Sequence, residues 1–282
     1  MRTLLPICIG AAVTLLVSCG TSTTTNEAME PEPAPSPDAQ MMPDMVEPGP
    51  PLGSIEGRLI TREGEPIAGL TVLCCDKGIC IMGGSDEGGA FVCEDLELGA
   101  YKMQVADPDE NFVDMVFYQT VEEEGANLPA REIVVSQMTE TPSGWEAEAG
   151  GDVVLASGRL TLTADPGALS YPVGTREEAL IAQEIPTSTL PPYDHEPWLE
   201  APDRALAFFM DPVHVSSSSP VSIVAAAPTE APGTVFQVWS VDPDTGTLQD
   251  VGTATVDDEL RLVSDSDAVI TNLTALILTL AL

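Results

Sequence analysis

Short apolar runs that alternate with polar residues constrain this chain more than any other feature. The runs at 55–61, 101–106 and 236–240 place apolar side chains at every second position, and Gly, Pro or Asp interrupts them. Successive side chains of a strand point to opposite faces, whereas an amphipathic helix needs a period near 3.6. Strands broken about every eight to twelve residues are typical of sandwiches. The sequence therefore predicts an all-β protein.

A turn-rich junction at 139–144 divides the strands into two groups, which predicts β-sandwich domains at 54–138 and 145–282. The apolar run at 273–282 contains threonine and is too short to span a membrane, so we expect a buried strand there. The predicted strands are 55–61, 70–75, 91–93, 101–106, 112–118, 132–137, 153–155, 160–163, 179–184, 205–209, 221–224, 236–240, 253–256 and 276–282.

The first group carries a glycine-rich pattern at strand boundaries. Gly57 is followed by Gly-Glu-Pro-Ile-Ala-Gly at 64–69, Ser-Asp-Glu-Gly-Gly-Ala-Phe at 85–91 and Leu-Glu-Leu-Gly-Ala-Tyr at 96–101. Glycine suits tight turns, while Phe91 can fill a small core. Over about residues 54–138 the pattern resembles the carboxypeptidase regulatory-like domain, a transthyretin-like β-sandwich. The resemblance implies a non-catalytic appendage, because the peptidase zinc ligands of such proteins belong to another domain.

The second group has turn motifs at 158–162, 166–169, 211–213 and 219–223, followed by Trp-Ser-Val-Asp at 239–242. Over about residues 150–265 this pattern resembles the β-sandwich domain shared by zonula occludens proteins, ankyrins and netrin receptors. The resemblance implies an interaction or structural unit without catalysis.

The N-terminus has the organisation of an export signal. Arg2 precedes an apolar run from residue 4 to 17, and Leu-Val-Ser-Cys at 16–19 resembles the lipobox of bacterial lipoproteins. The resemblance implies that residues 1–18 are removed and that Cys19 carries lipid. Gly20 stands where inner-membrane lipoproteins have Asp, which implies the outer membrane. A plain secretory signal and an uncleaved anchor are the alternatives, although the run is short for a span.

The residues that follow the cysteine, 19–52, are rich in Thr, Pro, Glu and Met, with proline at every second position from Pro31 to Pro37. Such a segment has too little apolar surface to offset its ordering entropy. We therefore expect a disordered acidic tether.

Four further cysteines, Cys74, Cys75, Cys80 and Cys93, lie within twenty residues. An even number of cysteines in an exported chain predicts two disulfides. A zinc site is the competing interpretation, but the cluster has no Cys-x-x-Cys pair.

Alternation along the strands favours one pairing of these cysteines. Phe91 and Cys93 share a strand face, so an inward Phe91 brings Cys93 into the core. If the apolar neighbours of Cys74 also point inward, Cys74 meets Cys93, and Cys75 is left to pair with Cys80 across a tight turn. A bulge in either strand would reverse this prediction.

Charge excludes one class of partner. The chain has 45 acidic and 10 basic side chains, a net charge of -35, and loss of Arg2 makes it -36. Such a surface repels nucleic acid and anionic headgroups, so no nucleic-acid partner is expected. The charge suits solubility in a salty habitat, and collection of divalent cations is the alternative.

Catalytic motifs are missing from the sequence, which contains only the imidazoles His195 and His214. No Gly-x-Ser-x-Gly elbow, His-Glu-x-x-His pair or phosphate loop occurs. We expect His214 at a strand edge. The Tyr-Asp-His-Glu run at 193–196 has poor geometry for a metal because its side chains are adjacent. No catalytic or metal-binding residue is therefore assigned.

Two acidic turns, at 107–111 and 242–246, are candidates for calcium, but each offers few of the six to eight oxygens that the ion needs. Calcium is therefore an alternative, and no cofactor is predicted.

These observations predict a lipoprotein of the outer membrane that acts as a binding or structural module and not as an enzyme. Its partners would be the membrane, through the lipid, and a protein or a glycan. One alternative is carbohydrate binding, and another is a hydrolase with unassigned carboxylates. The aromatic residues that could hold a sugar are Trp145, Tyr171, Tyr193 and Trp198.

Overall fold

The computed structural model describes residues 51–129, 131–144, 146–172, 180–228 and 230–281. The predicted signal peptide, Cys19 and nearly all of the predicted tether lie outside these residues. Strand β1 already begins at Leu52, which is paired with Glu97, so the folded part starts slightly before the predicted limit of the tether.

The protein is all-β, which confirms the predicted fold class. Among the described residues, helices are short 3-10 turns at Ala156–Gly158, Thr187–Thr189, Pro197–Glu200 and Pro202–Arg204, and none could cross a bilayer. The strands are β1 (Leu52–Ile60), β2 (Thr71–Asp76), β3 (Ile79–Gly84), β4 (Ala90–Glu97), β5 (Gly99–Ala106), β6 (Met115–Val121), β7 (Gly125–Asn127), β8 (Ile133–Val134), β9 (Gly151–Leu155), β10 (Leu160–Ala164), β11 (Leu169–Ser170), β12 (Ile181–Glu184), β13 (Leu206–Asp211), β14 (Ser216–Ala226), β15 (Val235–Val241), β16 (Leu248–Val256), β17 (Arg261–Ser264), β18 (Ile270–Asn272) and β19 (Ala275–Leu280).

Strands β1 to β8 form two four-stranded sheets. One has the order β4-β1-β7, with β8 also paired to β1, and the other has the order β3-β2-β5-β6. Buried Phe91 and Cys93 of the first sheet and Cys74 and Met103 of the second belong to one core, so the sheets face each other as a sandwich. Gly57 is needed opposite Phe91, because a Cβ there would lie 2.5 Å from the ring atom Cζ.

Strands β9 to β19 form one eleven-stranded sheet with the order β12-β13-β19-β15-β16-β17-β14-β10-β9, while β11 and β18 also pair with β14. Leu155 of β9 and Ala182 of β12 come from opposite ends of this order but share one core with Phe208 and Phe236. The sheet therefore curls around that core. The apolar residues near the C-terminus form the buried strand β19 in its interior.

The core of the sandwich extends across the predicted domain boundary. Phe117 and Ile133 of the first group are buried in the same cluster as Trp198, Phe209 and Ile277 of the second. No strand of one group pairs with a strand of the other in the part of the chain that the structure describes. The junction at 139–144 therefore separates the sheets but not the hydrophobic core, and residues Gly49–Leu282 form one compact unit.

Candidate functional site

The four clustered cysteines form two disulfides, Cys74 to Cys93 and Cys75 to Cys80. These are the pairs that strand alternation favours. Cys74 and Cys93 are buried and join the two sheets of the sandwich. Cys75 and Cys80 are register partners in the β2–β3 hairpin, on its opposite face. The hairpin turns at Lys77 and Gly78, which both have positive φ angles (47° and 82°), as a two-residue turn requires.

A cleft of about 670 Å³ lies between this hairpin and the loop that joins β15 to β16. The Cys75 to Cys80 disulfide, Lys102 and Tyr118 come from the sandwich, while Asp244 comes from the loop. The complete lining is Cys75, Asp76, Lys77, Gly78, Cys80, Ala100, Lys102, Tyr118, Asp244, Thr245 and Thr247.

The loop of the cleft is held by its first carboxylate, Asp242. One oxygen of Asp242 accepts hydrogen bonds from the backbone N–H groups of Asp244 (2.8 Å) and Thr245 (3.0 Å), and the other accepts one from Gln249 Nε2 (2.6 Å). These are bonds that a turn-forming aspartate makes. Gly246 lets the loop approach β6, because a Cβ there would lie 2.2 Å from the carbonyl oxygen of Phe117.

Lys102 is the one partly buried cation of the described residues that forms no ion pair. Six of the eight described Lys and Arg side chains form ion pairs, and the two others are exposed Arg62 and half-buried Lys102. Burial lowers the pKa of Lys102, an effect that the charges of Asp244 and Asp242 oppose. The cleft thus presents an ammonium group without an ion-pair partner among the described residues.

Among the described residues, the side-chain contacts of the two histidines are with Gln104, Asp194 and Trp239. His214 Nε2 lies 3.4 Å from Gln104 Oε1, and burial, followed by the charge of Lys102, lowers the pKa of His214. His214 has a φ of 69° and lies in the turn after β13, so its predicted position at a strand edge is wrong. His195 contacts Asp194 (Nδ1 to Oδ2, 3.1 Å) and packs edge-on against Trp239, with ring centroids 4.9 Å apart.

A second cavity, of about 430 Å³, lies where residues 107–114 of the sandwich meet the end of β13. Burial raises the pKa of Asp114 to about 7, and the charge of Asp211 adds to the effect. Burial also raises the pKa of Asp211. The full lining is Asp107, Pro108, Glu110, Phe112, Asp114, Met138, Glu140, Pro142, Ile181, Asp211 and Pro212.

The first candidate calcium turn borders this cavity, and Asp107 uses its carboxylate within the turn. Its oxygens accept hydrogen bonds from the backbone N–H groups of Asp109 (2.9 Å), Asn111 (2.7 Å) and Phe112 (3.0 Å). Within the described residues no three His, Cys, Asp or Glu side chains form a group that could hold a metal ion. Both candidate turns thus use the carboxylate of their first aspartate, Asp107 or Asp242, for hydrogen bonds within the turn.

For two of the four aromatic residues, the prediction that they could hold a sugar is wrong. Trp198 and Tyr193 are buried and pack edge to face with centroids 5.7 Å apart. Tyr171 is half-buried, and Trp145 lies outside the described residues. Every Phe, Tyr and Trp that the structure describes is at least half-buried, so this part of the chain has no exposed aromatic platform.

Sequence reasoning did not single out Lys102 or Asp114, because both sites arise where the two strand groups meet. One signal was present for the cleft. Lys77 and Lys102 are the only lysines of the chain, and both line it.

Searches found no matching protein family and no matching curated protein. Among solved structures, the chain is similar to a candidate carbohydrate-binding protein from Bacteroides uniformis (12% identity, TM-score 0.27, 82% of this chain and 80% of that one). It is also similar to a DUF3823 family protein from Bacteroides ovatus (9% identity, TM-score 0.24, 82% of this chain and 97% of that one). A third similar structure is the major pilin SpaD from Corynebacterium diphtheriae (10% identity, TM-score 0.26, 82% of this chain and 87% of that one). Likenesses this weak carry no argument about function.

Proposed function

We propose that this protein is a non-catalytic binding module held at the outer membrane by lipid on Cys19, and that the cleft takes a ligand with an anionic group. The observation that carries the proposal is Lys102. A half-buried ammonium group without an ion-pair partner among the described residues is costly unless a ligand completes its surroundings. Asp244 on the facing wall would favour a ligand that carries a cationic group beside its anionic one.

Two features support the non-catalytic part of the proposal. The histidine contacts given above include no hydroxyl or thiol, so neither imidazole is placed to activate a nucleophile. The two facing four-stranded sheets of residues 52–134 also suit a transthyretin-like domain of the carboxypeptidase regulatory-like type, which we propose for this segment. An interaction or structural role without catalysis remains our proposal for residues 150–265.

Ligand binding is tested by thermal unfolding in acetate, glutamate or phosphate at constant ionic strength. A ligand that binds the folded protein raises the midpoint with a saturable dose dependence. We expect this rise in the wild-type protein and its loss in Lys102→Met. Lys77→Met should keep the rise, because the ammonium group that it removes is already paired with Asp76. Equal responses of the two variants, or no response to any of the three anions, would contradict the anion site.

Anchoring is tested separately by expressing wild type and Cys19→Ala in a Gram-negative host. Labelling with a radioactive fatty acid and sedimentation in the outer-membrane fraction are expected for wild type alone. Uncleaved precursor or soluble protein is expected for the variant, and an unlabelled wild type would refute the lipid anchor. Proteinase treatment of intact cells then reports whether the protein faces the exterior.

A second candidate function rests on Asp114. A carboxyl group with a pKa near 7 beside Asp211 in a cavity has the properties of a general acid. Hydrolysis of a panel of nitrophenyl glycosides and esters by wild type, and its loss in Asp114→Asn, would replace the binding proposal with a hydrolase.

A further inference from the structure

Strand β3 forms an edge with unusual composition. It is the end strand in the order β3-β2-β5-β6, and its sequence, Ile-Cys-Ile-Met-Gly-Gly, contains neither a charged residue nor a proline. The exposed fractions of Ile79 and Met82 are 74% and 73%. Natural sheets usually protect an edge with charge, proline or a covering segment, because a free edge pairs with other strands. The edge of β3 is protected neither by a charged residue nor by proline.

The two-residue turn fixes which backbone groups of β3 face outward. Because Asp76 and Ile79 close the turn, they form a hydrogen-bonded pair, and such pairs alternate with non-hydrogen-bonded ones along the hairpin. Cys80, Met82 and Gly84 therefore direct their N–H and C=O groups away from β2. All three residues are exposed, and β2 is the only described strand that pairs with β3.

Charge limits which surface could meet a second copy of this chain. Two chains of net charge -35 repel each other, so self-association needs a surface without acidic side chains. The strand β3 provides one, and the Cys75 to Cys80 disulfide holds it in an extended form before pairing. At the two ends of β3 lie Lys77, with an 82% exposed side chain, and the exposed carboxylate of Glu87.

We propose that β3 pairs antiparallel with β3 of a second copy, with Met82 on the two-fold axis. This register joins the outward backbone groups, because Met82 lies opposite Met82 and Cys80 lies opposite Gly84 of the other copy. It also brings the end of β3 that carries Lys77 next to the end that carries Glu87 in the other copy, twice by symmetry. A register shifted by one residue would place the outward backbone groups of one copy opposite inward-pointing residues of the other, and it would lose this charge match. The proposal does not depend on the cleft or on the lipid.

The register is tested by cysteine trapping of the full chain in membranes. Residues of a hydrogen-bonded antiparallel pair have Cα atoms about 5.5 Å apart, within the range of a disulfide. Met82→Cys should form a linked dimer under mild oxidation. Ile79→Cys is the matched control, since its side chain is equally exposed but lies roughly 20 Å from its symmetry mate in this register. Linking at residue 79 and not at residue 82 would overturn the proposal.

A charge exchange supplies an independent test by analytical ultracentrifugation of the full chain in detergent. Lys77→Glu and Glu87→Lys should each raise the dissociation constant of the dimer about three- to tenfold, and the double variant should restore it. A wild-type protein that is monomeric at micromolar concentration, or a double variant weaker than both single variants, would refute self-pairing. A monomer that instead gains an extended peptide on β3 would assign the edge to another protein.

Discussion

The phenol oxygen of Tyr193 donates a 3.0 Å hydrogen bond to the carbonyl oxygen of Val116, and both residues are buried. Tyr193 belongs to the second strand group and Val116 to β6 of the first, so one side chain joins the two across their common core. Tyr193→Phe would leave the Val116 carbonyl without this donor. We expect a loss of about 1–3 kcal/mol in the free energy of unfolding.

Urea denaturation followed by tryptophan fluorescence checks this value. Tyr118→Phe is the control, because its half-buried ring lies in the open cleft. It should change stability by less than about 0.5 kcal/mol. Equal effects of the two substitutions would show that the Tyr193 bond does not join the groups.

Gly246 tests the contact between the cleft loop and β6. Gly246→Ala would bring a Cβ to 2.2 Å from Phe117 O at a φ of +72°, whereas Gly233→Ala has a similar φ (+86°) and open space around it. Both substitutions cost roughly 1–2 kcal/mol for the left-handed backbone. Gly246→Ala should cost about 1–3 kcal/mol more, because the loop has to move. Equal unfolding midpoints would indicate that the loop does not rest on β6.

The two disulfides should differ in their effect on stability. Their sequence separations are 19 and 5 residues, and in the chain-entropy relation these correspond to about 3 and 2 kcal/mol. Replacing Cys74 and Cys93 by Ala should therefore lower stability more than replacing Cys75 and Cys80. The buried position of the first pair acts in the same direction. Non-reducing peptide mapping of wild type checks the pairing itself, and a Cys74 to Cys80 linkage would contradict it.

The raised pKa of Asp114 predicts that the stability of the protein depends on pH. Its folded pKa of about 7 lies above the ordinary value of 3.8, so the folded protein holds a proton that the unfolded chain has lost. Stability should therefore fall as pH rises from about 4 to about 7 and then level off. Each pH unit corresponds to about 1.4 kcal/mol, which gives a ceiling of about 4 kcal/mol.

Asp114→Asn removes this cost while keeping an oxygen to accept the hydrogen bond from the Asp107 N–H. The variant should be more stable than wild type at pH 8 and nearly equal to it at pH 4. Exposed Asp258, replaced by Asn, controls for the change in net charge. A stabilisation by Asp114→Asn that is independent of pH would contradict the assignment.

Strand alternation explains which parts of this fold were predictable. The faces of β2 and β4 follow from local sequence, so the inward positions of Cys74 and Cys93 could be anticipated. Strands β3 and β7 were missed because the glycines of β3 and the three-residue length of β7 give no clear period-two pattern, and their partners supply the pairing. The predicted strand at 132–137 shrinks to Ile133–Val134, which pairs with β1 alone.

The candidate sites could not be predicted in the same way. Lys102 faces the loop of Asp244, and Asp114 shares a cavity with Asp211, although more than ninety residues separate the members of each pair in the sequence. Both arrangements depend on how the two strand groups dock. Periodicity contains no information about that packing, because it reports only which side of a strand is buried.

The position of β19 between β13 and β15 has a consequence for the order in which this protein can be built. Residues 206–211 are synthesised long before residues 275–280, yet among the described strands β13 and β15 are joined only through β19. During synthesis from the N-terminus, Phe208 and Phe209 therefore leave the ribosome before β19, the strand that pairs with them. A nascent chain that has not yet reached residue 280 should remain open, sensitive to protease and available to chaperones.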